Sequence, residues 1–80
     1  MLKIIDDYDL KGLEKLGFEY SDLSDSYKKE LEWWHIISVD CEDRIIYDTQ
    51  EYCDTWETDP AIWEDIKDII PSEIVEKVDE

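Results

Sequence analysis

The sequence predicts an α+β domain, in which a small antiparallel sheet carries helices packed on one side. Three observations predict this class: a leucine stripe at helical spacing near residue 13, a period-two alternation of apolar and polar residues from residue 27, and an isoleucine stripe near residue 66. The chain of 80 residues is 42% hydrophobic and has only two Gly and two Pro, so it lacks the signature of disorder. We expect one folded domain over residues 1–80.

The first predicted element is an N-terminal helix at about residues 9–16. Leu10, Leu13 and Leu16 lie on one side of it, and Gly17 is placed to end it in the left-handed conformation. Phe18 is then expected to fold back on the leucines. The Ser and Asp content of residues 19–26 predicts a turn or loop, with a brief strand at residues 18–20 as an option.

Residues 27–50 predict a β-hairpin. Its first strand is one half-buried segment that starts at Tyr27, because apolar and acidic or hydroxyl residues alternate as far as Asp40. Cys41–Asp43 forms the reverse connection, and residues 44–50 form a second strand rich in branched and aromatic side chains. A third strand at about residues 52–56 is a further expectation.

A C-terminal helix is predicted at about residues 60–70. Asp59 is placed to cap it, and Pro60 sits at the first helical position, where its missing N–H costs nothing. Pro71 then interrupts the helix, and a short helical turn follows from Ser72. The apolar face of the helix has residues at helical spacing, namely Ile62, Trp63, Ile66, Ile69 and Ile70.

The sequence gives no sign of secretion or of a membrane span. Residues 1–9 lack the apolar stretch of a signal peptide, and no apolar run approaches the length that crosses a bilayer. Cys41 and Cys53 are the only cysteines, and their spacing predicts two free thiols, as in a reducing compartment. We therefore expect a cytoplasmic protein, in the host cell cytoplasm if phage-encoded.

No catalytic, cofactor or metal site is predicted. The chain has one histidine and no Gly-rich phosphate loop, and nothing in the sequence activates either cysteine. His35 is interpreted as a partly buried, hydrogen-bonded strand residue rather than a ligand or proton acceptor. Calcium ligands are abundant but lack the spacing of a calcium-binding loop; they are Asp22, Asp25, Asp40, Glu42, Asp43 and Asp48.

The charge is the most informative property of the composition. Twenty-four Asp and Glu against eight Lys and Arg give a formal net charge of -16. Residues 40–80 alone hold fifteen of these acids and three of the bases, a net charge of -12. Nucleic-acid phosphates and anionic membrane surfaces are repelled by such a surface, whereas a basic protein surface is attracted. The sequence therefore predicts a basic protein partner and no direct nucleic-acid or membrane binding.

The partner-binding surface is predicted in the acidic and aromatic segment between Asp40 and Asp65. Carboxylates at alternate strand positions form an extended row that resembles the phosphate track of a nucleic acid. Trp56 and Tyr52 stand among these acids and have an equal claim to an interface and to the core, whereas Trp63 and one of Trp33 and Trp34 are assigned to the core. The predicted partner-binding residues are Glu42, Asp43, Asp48, Glu51, Tyr52, Asp54, Trp56, Glu57 and Asp59.

In its length, its acidity, the hairpin from Trp33 to Tyr47 and the acidic, aromatic residues 40–57, the chain resembles a class of small acidic proteins of phages and mobile elements. This class includes anti-CRISPR proteins and other DNA mimics that inhibit nucleic-acid enzymes. The resemblance implies a non-catalytic inhibitor that occupies the basic surface of a CRISPR effector or a nuclease. Two alternatives stay open: an immunity protein or antitoxin that neutralises a basic nuclease toxin, and an oligomeric structural or scaffold protein of phage origin, for which a homodimer is expected.

Overall fold

A computed structural model describes residues 1–78 and shows a mostly β protein. Strands account for 46% of the residues and helical segments for 18%. Within the described part of the chain, the single α-helix has four residues, Trp63–Ile66 (α1). The predicted α+β class with two packed helices is therefore wrong.

The main structure is a five-stranded antiparallel sheet in which each strand pairs with the next along the chain. This up-and-down order needs only hairpin connections, so each reversal is local. Its strands, with the bounds that the structure gives them, are β2 (Glu19–Ser21), β3 (Ser26–Glu32), β4 (His35–Asp40), β5 (Ile46–Tyr52) and β6 (Thr55–Pro60).

A second sheet joins the two ends of the described chain. Strand β1 (Leu2–Ile4) pairs antiparallel with β7 (Val75–Lys77). A bridge from Lys3 to Ile45, together with a hydrogen bond of 3.0 Å from the Ile4 N–H to the Arg44 carbonyl, connects this pair to the segment before β5. The small sheet is thereby fixed against the large one.

The hydrophobic core lies on one face of the five-stranded sheet. Tyr27, Ile37, Val39 and Ile46 share that face because side chains of a strand alternate between its two sides. The other core residues come from β1, the N-terminal segment and the segment after β6; they are Leu2, Ile4, Leu13, Phe18, Ala61, Ile66 and Ile70. The opposite face of the sheet, which we call the open face, carries alternating residues such as Ser38 and Thr49.

At the position of the predicted N-terminal helix, the structure has a 3₁₀-helix, Leu10–Leu16. Asp9 caps it with a bond of 3.0 Å from the Lys11 N–H to Oδ1. The predicted role of Gly17 is confirmed, since its φ is 94° and it ends the helix in the left-handed conformation. Phe18 then turns back, donating its N–H to the Leu13 carbonyl, and its side chain is buried.

The predicted single strand over residues 27–40 is wrong, because the chain reverses at Trp33 and Trp34 to make two strands. The hairpin between β3 and β4 has a register shift between Glu30 and Glu32. The predicted reversal near residues 41–43 is confirmed and connects β4 to β5. The predicted third strand at residues 52–56 is displaced, since Cys53 and Asp54 form the turn before β6.

The predicted helix over residues 60–70 is also wrong. Pro60 and Asp59 belong to β6, where they pair with Tyr47 and Asp48, so Asp59 caps no helix. Helix α1 starts only at Trp63 and ends after one turn. Four β-branched isoleucines and two aspartates lower the helix propensity of this segment, and so short a helix has no propagation to offset its nucleation. Ile66 and Ile70 still reach the core through irregular backbone, whereas Ile62 and Trp63 are exposed, so the assignment of Trp63 to the core is wrong.

A 3₁₀-helix, Ser72–Ile74, occupies the place of the predicted final helical turn. None of the helices over residues 1–78 has the length and apolar character that crossing a membrane requires.

Candidate functional site

The turns between β3 and β4 and between β5 and β6 lie at the same end of the five-stranded sheet. In an up-and-down sheet, alternate connections share an end, so Trp33 and Trp34 come next to Cys53 and Asp54. A hydrogen bond of 2.9 Å from the Glu51 N–H to the Trp34 carbonyl joins the two hairpins there. We call this region the aromatic end and define it as residues 30–36 and 49–57.

The β5–β6 hairpin is closed by a two-residue turn with positive φ at both positions, 48° at Cys53 and 69° at Asp54. This is the pattern of a type I′ turn, whose twist matches that of the flanking strands. Thr55 Oγ1 donates a bond of 2.7 Å to the Tyr52 carbonyl and supports the turn. The turn therefore places Tyr52 and Trp56 at a defined position beside it.

The aromatic end exposes four large aromatic side chains. The exposed fractions are 71% for Trp33, 38% for Trp34, 51% for Tyr52 and 49% for Trp56. Trp34 and Trp56 are two strand spacings apart across β5, which corresponds to about 10 Å between their backbones. Aromatic side chains of this type anchor protein interfaces. These four lie at one end of the sheet, with Tyr52 on the same face as Asp48 and Trp56 on the open face.

The aromatic end is also strongly acidic. It contains five carboxylates and neither Lys nor Arg. Its one histidine, His35, is partly buried. The carboxylates of the aromatic end are Glu30, Glu32, Glu51, Asp54 and Glu57.

A chain of polar contacts leads from the aromatic end into the core face of the sheet. The Tyr52 hydroxyl donates to Gln50 Oε1 at 2.6 Å, and Gln50 Nε2 donates to Asp48 Oδ2 at 3.0 Å. The other oxygen of Asp48 lies 2.7 Å from His35 Nε2. Both atoms are buried, and neither has a hydrogen-bond partner within residues 1–78, so the pair is a close contact between a ring nitrogen and a carboxylate oxygen.

Two neighbours enclose this His35–Asp48 pair. The ring of Trp34 stacks on the His35 imidazole, with centroids 5.3 Å apart and an angle of 13° between the planes. Asp65 approaches from α1, where its Oδ2 accepts a bond of 3.3 Å from the Ile62 N–H. Burial raises the pKa of Asp65, the Ile62 amide opposes that rise, and the neighbouring Asp48 carboxylate adds to it. These contacts hold Trp34 in place and give His35 a structural role within the strand.

The structure brings some of the predicted partner-binding residues together and separates others. Tyr52, Asp54 and Trp56 lie in the aromatic end, and Glu51 lies opposite Trp56 on the open face. Asp48 is buried against His35 and is turned away from solvent.

The carboxylates of β6 point to the other side of the sheet from Glu51. Glu57 and Asp59 are exposed on the same face as Asp48, because they pair with Gln50 and Asp48 in the register. The acidic positions of β5 and β6 are therefore divided between two faces and do not form one continuous row.

Glu42 and Asp43 lie at the opposite end of the sheet, about 30 Å along β5 from Asp54. There the Asp43 carboxylate accepts bonds from the Ile45 N–H at 2.8 Å and from the Tyr47 hydroxyl at 3.3 Å. The Glu42 N–H donates to Asp40 Oδ1 at 2.7 Å. Asp43 thus stabilises the β4–β5 turn and is not part of the aromatic end.

The two thiols are free and belong to opposite ends of the sheet. Burial raises the pKa of the Cys41 thiol, and the Asp25 and Asp40 carboxylates raise it further, so the thiolate form is disfavoured. Within the described residues 1–78, no three His, Cys, Asp or Glu side chains are grouped to hold a metal ion.

Sequence reasoning missed Trp33, Trp34 and Glu32 as members of the candidate site. The alternating pattern predicts that the two adjacent tryptophans belong to one strand, in which one of them faces the core. In the structure both belong to a turn, and both are exposed. The signal for this was the pair of tryptophans flanked by glutamate at residue 32, a composition more typical of a surface than of a core strand.

Comparisons with models of protein families, with curated proteins and with solved structures found no match for this chain.

Proposed function

We propose that this protein is a non-catalytic inhibitor that occupies the basic nucleic-acid-binding surface of another protein, such as a CRISPR effector or a nuclease. The observation that carries the proposal is the aromatic end, which combines four exposed aromatic side chains with five carboxylates and has no Lys or Arg. An interface of this composition matches a surface rich in Lys and Arg, which the carboxylates attract and the aromatic rings then contact.

The proposed surface differs from the row of acids that the sequence suggested. It comprises Trp33, Trp34, Tyr52 and Trp56 with the surrounding carboxylates, and it includes Glu51, Asp54 and Glu57 from the predicted set. Asp48 contributes indirectly, through the contact with His35 on which Trp34 stacks. Glu42 and Asp43 add only long-range attraction from the far end of the sheet.

The net charge of -16 supports a cationic partner for a physical reason. Long-range attraction accelerates encounter with a basic cleft, while the same charge repels nucleic acid and anionic membranes. A protein that acts by occupancy needs no catalytic group, and we place it in the cytoplasm, where nucleic-acid enzymes are found.

The test is capture from a bacterial lysate with the immobilised protein, at about 50 mM and about 200 mM salt. The recovered partner should be a nucleic-acid-binding protein that releases its DNA or RNA when this protein is added. Its association rate should fall at least about tenfold for the triple variant Glu32→Gln/Glu51→Gln/Asp54→Asn, because the steering charge lies at the contact.

The matched control is the variant Asp7→Asn/Glu14→Gln/Asp68→Asn, which removes three exposed carboxylates away from the aromatic end. It raises the net charge equally and should leave the association rate within about threefold of the original. Equal rates for the two variants would show that the aromatic end is not the contact. Recovery of a nuclease toxin, with protection of cells from it, would identify an immunity protein that uses the same surface.

A further inference from the structure

Strand β6 is an unpaired edge of the five-stranded sheet. Over residues 1–78, its only strand partner is β5, and all six of its residues are exposed. The other edge strand of this sheet, β2, has three residues. An exposed edge of this length presents free N–H and C=O groups that are able to pair with another chain.

The register shows which backbone groups of β6 point outward. The Ala61 N–H donates to the Ile46 carbonyl of β5 at 2.9 Å. Because N–H and C=O groups alternate along an antiparallel strand, Asp59, Glu57 and Thr55 also point towards β5. Trp56 and Thr58 therefore direct their N–H and C=O groups away from the sheet. Pro60 shares their orientation but has no N–H, so it ends the available edge.

The side chains of β6 restrict which strand is able to pair there. Glu57 and Asp59 project on the core side of the sheet, and Trp56 projects on the open face. A second copy of β6 in antiparallel pairing brings carboxylates to within about 5 Å of one another, and like charges at that position are destabilising. The same carboxylates favour a cationic strand. The charge thus protects the edge from self-pairing.

We propose that β6 binds an extended basic segment of its partner as a sixth strand of the sheet, through the backbone of Trp56 and Thr58. This proposal rests on the proposed function and specifies how the partner is held. The fitting segment alternates in character: Lys or Arg side chains two residues apart lie beside Glu57 and Asp59, and an apolar side chain between them contacts Trp56. Backbone hydrogen bonds supply the affinity, and this alternation supplies the specificity.

The probe is a short synthetic peptide of alternating lysine and leucine, added to the ¹⁵N-labelled protein. Binding should slow the hydrogen exchange of the Trp56 and Thr58 amides by at least about tenfold. A peptide of the same sequence, N-methylated at alternate residues on its pairing edge, keeps the charge but not the hydrogen bonds. It should bind at least about tenfold more weakly, which corresponds to two lost hydrogen bonds.

A pair of protein variants tests the same contact from the other side. Thr58→Pro removes an outward N–H and leaves the bonds to β5, whereas Thr58→Val keeps that N–H. Both lose the contact of 3.0 Å between the Thr58 and Thr49 hydroxyls, so they are matched in that respect. Thr58→Pro should weaken peptide binding at least about tenfold relative to Thr58→Val. Should Thr58→Pro not fold, the two peptides on the unmodified protein decide the question.

Three results would overturn strand addition. One is equal affinity for the two peptides, with NMR chemical-shift changes confined to the indole groups of Trp33 and Trp34. That result would leave the proposed function intact. Another is the absence of binding by the unmethylated peptide at low salt. The third is slowed exchange of the Trp56 and Thr58 amides at high protein concentration without peptide, which identifies a second copy of this chain as the occupant.

Discussion

At the scale of single residues, Gly17 shows how one position determines a chain reversal. Its φ of 94° lies in the left-handed region, and a Cβ atom there would also meet the Nζ of Lys29. That Nζ donates a bond of 2.9 Å to the Leu16 carbonyl, so it has little freedom to move. Together these features connect the 3₁₀-helix to β3.

We expect Gly17→Ala to lower the free energy of unfolding by about 1–2 kcal/mol, the cost of a left-handed conformation for a residue with a Cβ. Gly17→Asn introduces the same Cβ but adopts that conformation more readily, so it should lose less. Urea denaturation of both variants measures the difference. Equal losses would assign the effect to the collision with Lys29 alone.

The carboxyl of Asp65 provides a prediction of pH dependence. Burial raises its pKa in the folded state, so the ionised form is disfavoured by folding. Its destabilising effect is present at pH values above the folded pKa and is lost as the pH falls through it. Asp65→Asn should therefore raise the free energy of unfolding near neutral pH. Solvent screening of this partly exposed group limits the gain to about 0.5 kcal/mol, and no gain should remain below about pH 4.

The control for this variant is Asp68→Asn, which removes an equal charge from an exposed position three residues further along. It separates the effect of burial from the general relief of repulsion. Denaturation midpoints at several pH values are the measurement. A gain for Asp65→Asn that is the same at every pH, or no larger than that of Asp68→Asn, would contradict the assignment.

At the scale of elements, the β5–β6 turn adopts the most favourable geometry for a two-residue hairpin but without the residues that favour it. Asp54 has a φ of 69°, a conformation that glycine adopts without steric cost. Asp54→Gly should raise the free energy of unfolding by about 0.5–1 kcal/mol. Asp59→Gly, in the extended part of β6, should lower it instead. Thermal denaturation tests whether the two substitutions change the free energy of unfolding in opposite directions.

The hairpin between β3 and β4 shows why part of the fold was not predictable. The register shift between Glu30 and Glu32 leaves odd-numbered residues facing the core both before and after the turn, as the pairing of Lys29 with Ile37 shows. The period-two alternation therefore continues unbroken through the reversal. Trp33 and Trp34 also give no turn signal, since neither is Gly, Asn or Asp. Pattern alone does not distinguish this hairpin from one long strand.

The prediction of a C-terminal helix was wrong for a different reason. Its apolar spacing did identify residues that reach the core, such as Ile66 and Ile70. The predicted helix start depends on Asp59 and Pro60, and in the structure both residues pair with β5 instead. A strand contact from elsewhere in the chain thus overrode a local helix signal, which no single-sequence pattern contains.

Part of the candidate site was predictable from the sequence. Composition indicates Trp56, Tyr52, Glu51 and Asp54, because residues 51–57 combine three acids with two aromatic residues. Trp33 and Trp34 belong to the site only because the chain reverses between β3 and β4, and the sequence pattern does not reveal that reversal.

At the scale of the whole molecule, the net charge of -16 acts over a particle of only 38 × 26 × 23 Å. At about 0.01 M salt the screening length is about 30 Å, so most carboxylates repel one another across the fold. At about 0.15 M it is about 8 Å, and only near neighbours interact. Salt must therefore stabilise the fold, whereas it weakens attraction to a basic partner.

We expect the free energy of unfolding to rise by about 1 kcal/mol when sodium chloride is raised from about 0.01 to about 0.15 M, and the thermal midpoint by about 4–8 °C. Over the same range, the association rate with the partner should fall. The variant Asp7→Asn/Glu14→Gln/Asp68→Asn should show a smaller rise, because it has less repulsion to screen. A midpoint independent of salt would mean that the carboxylates repel one another as strongly in the unfolded chain as in the fold, and it would contradict the expected stabilisation by salt.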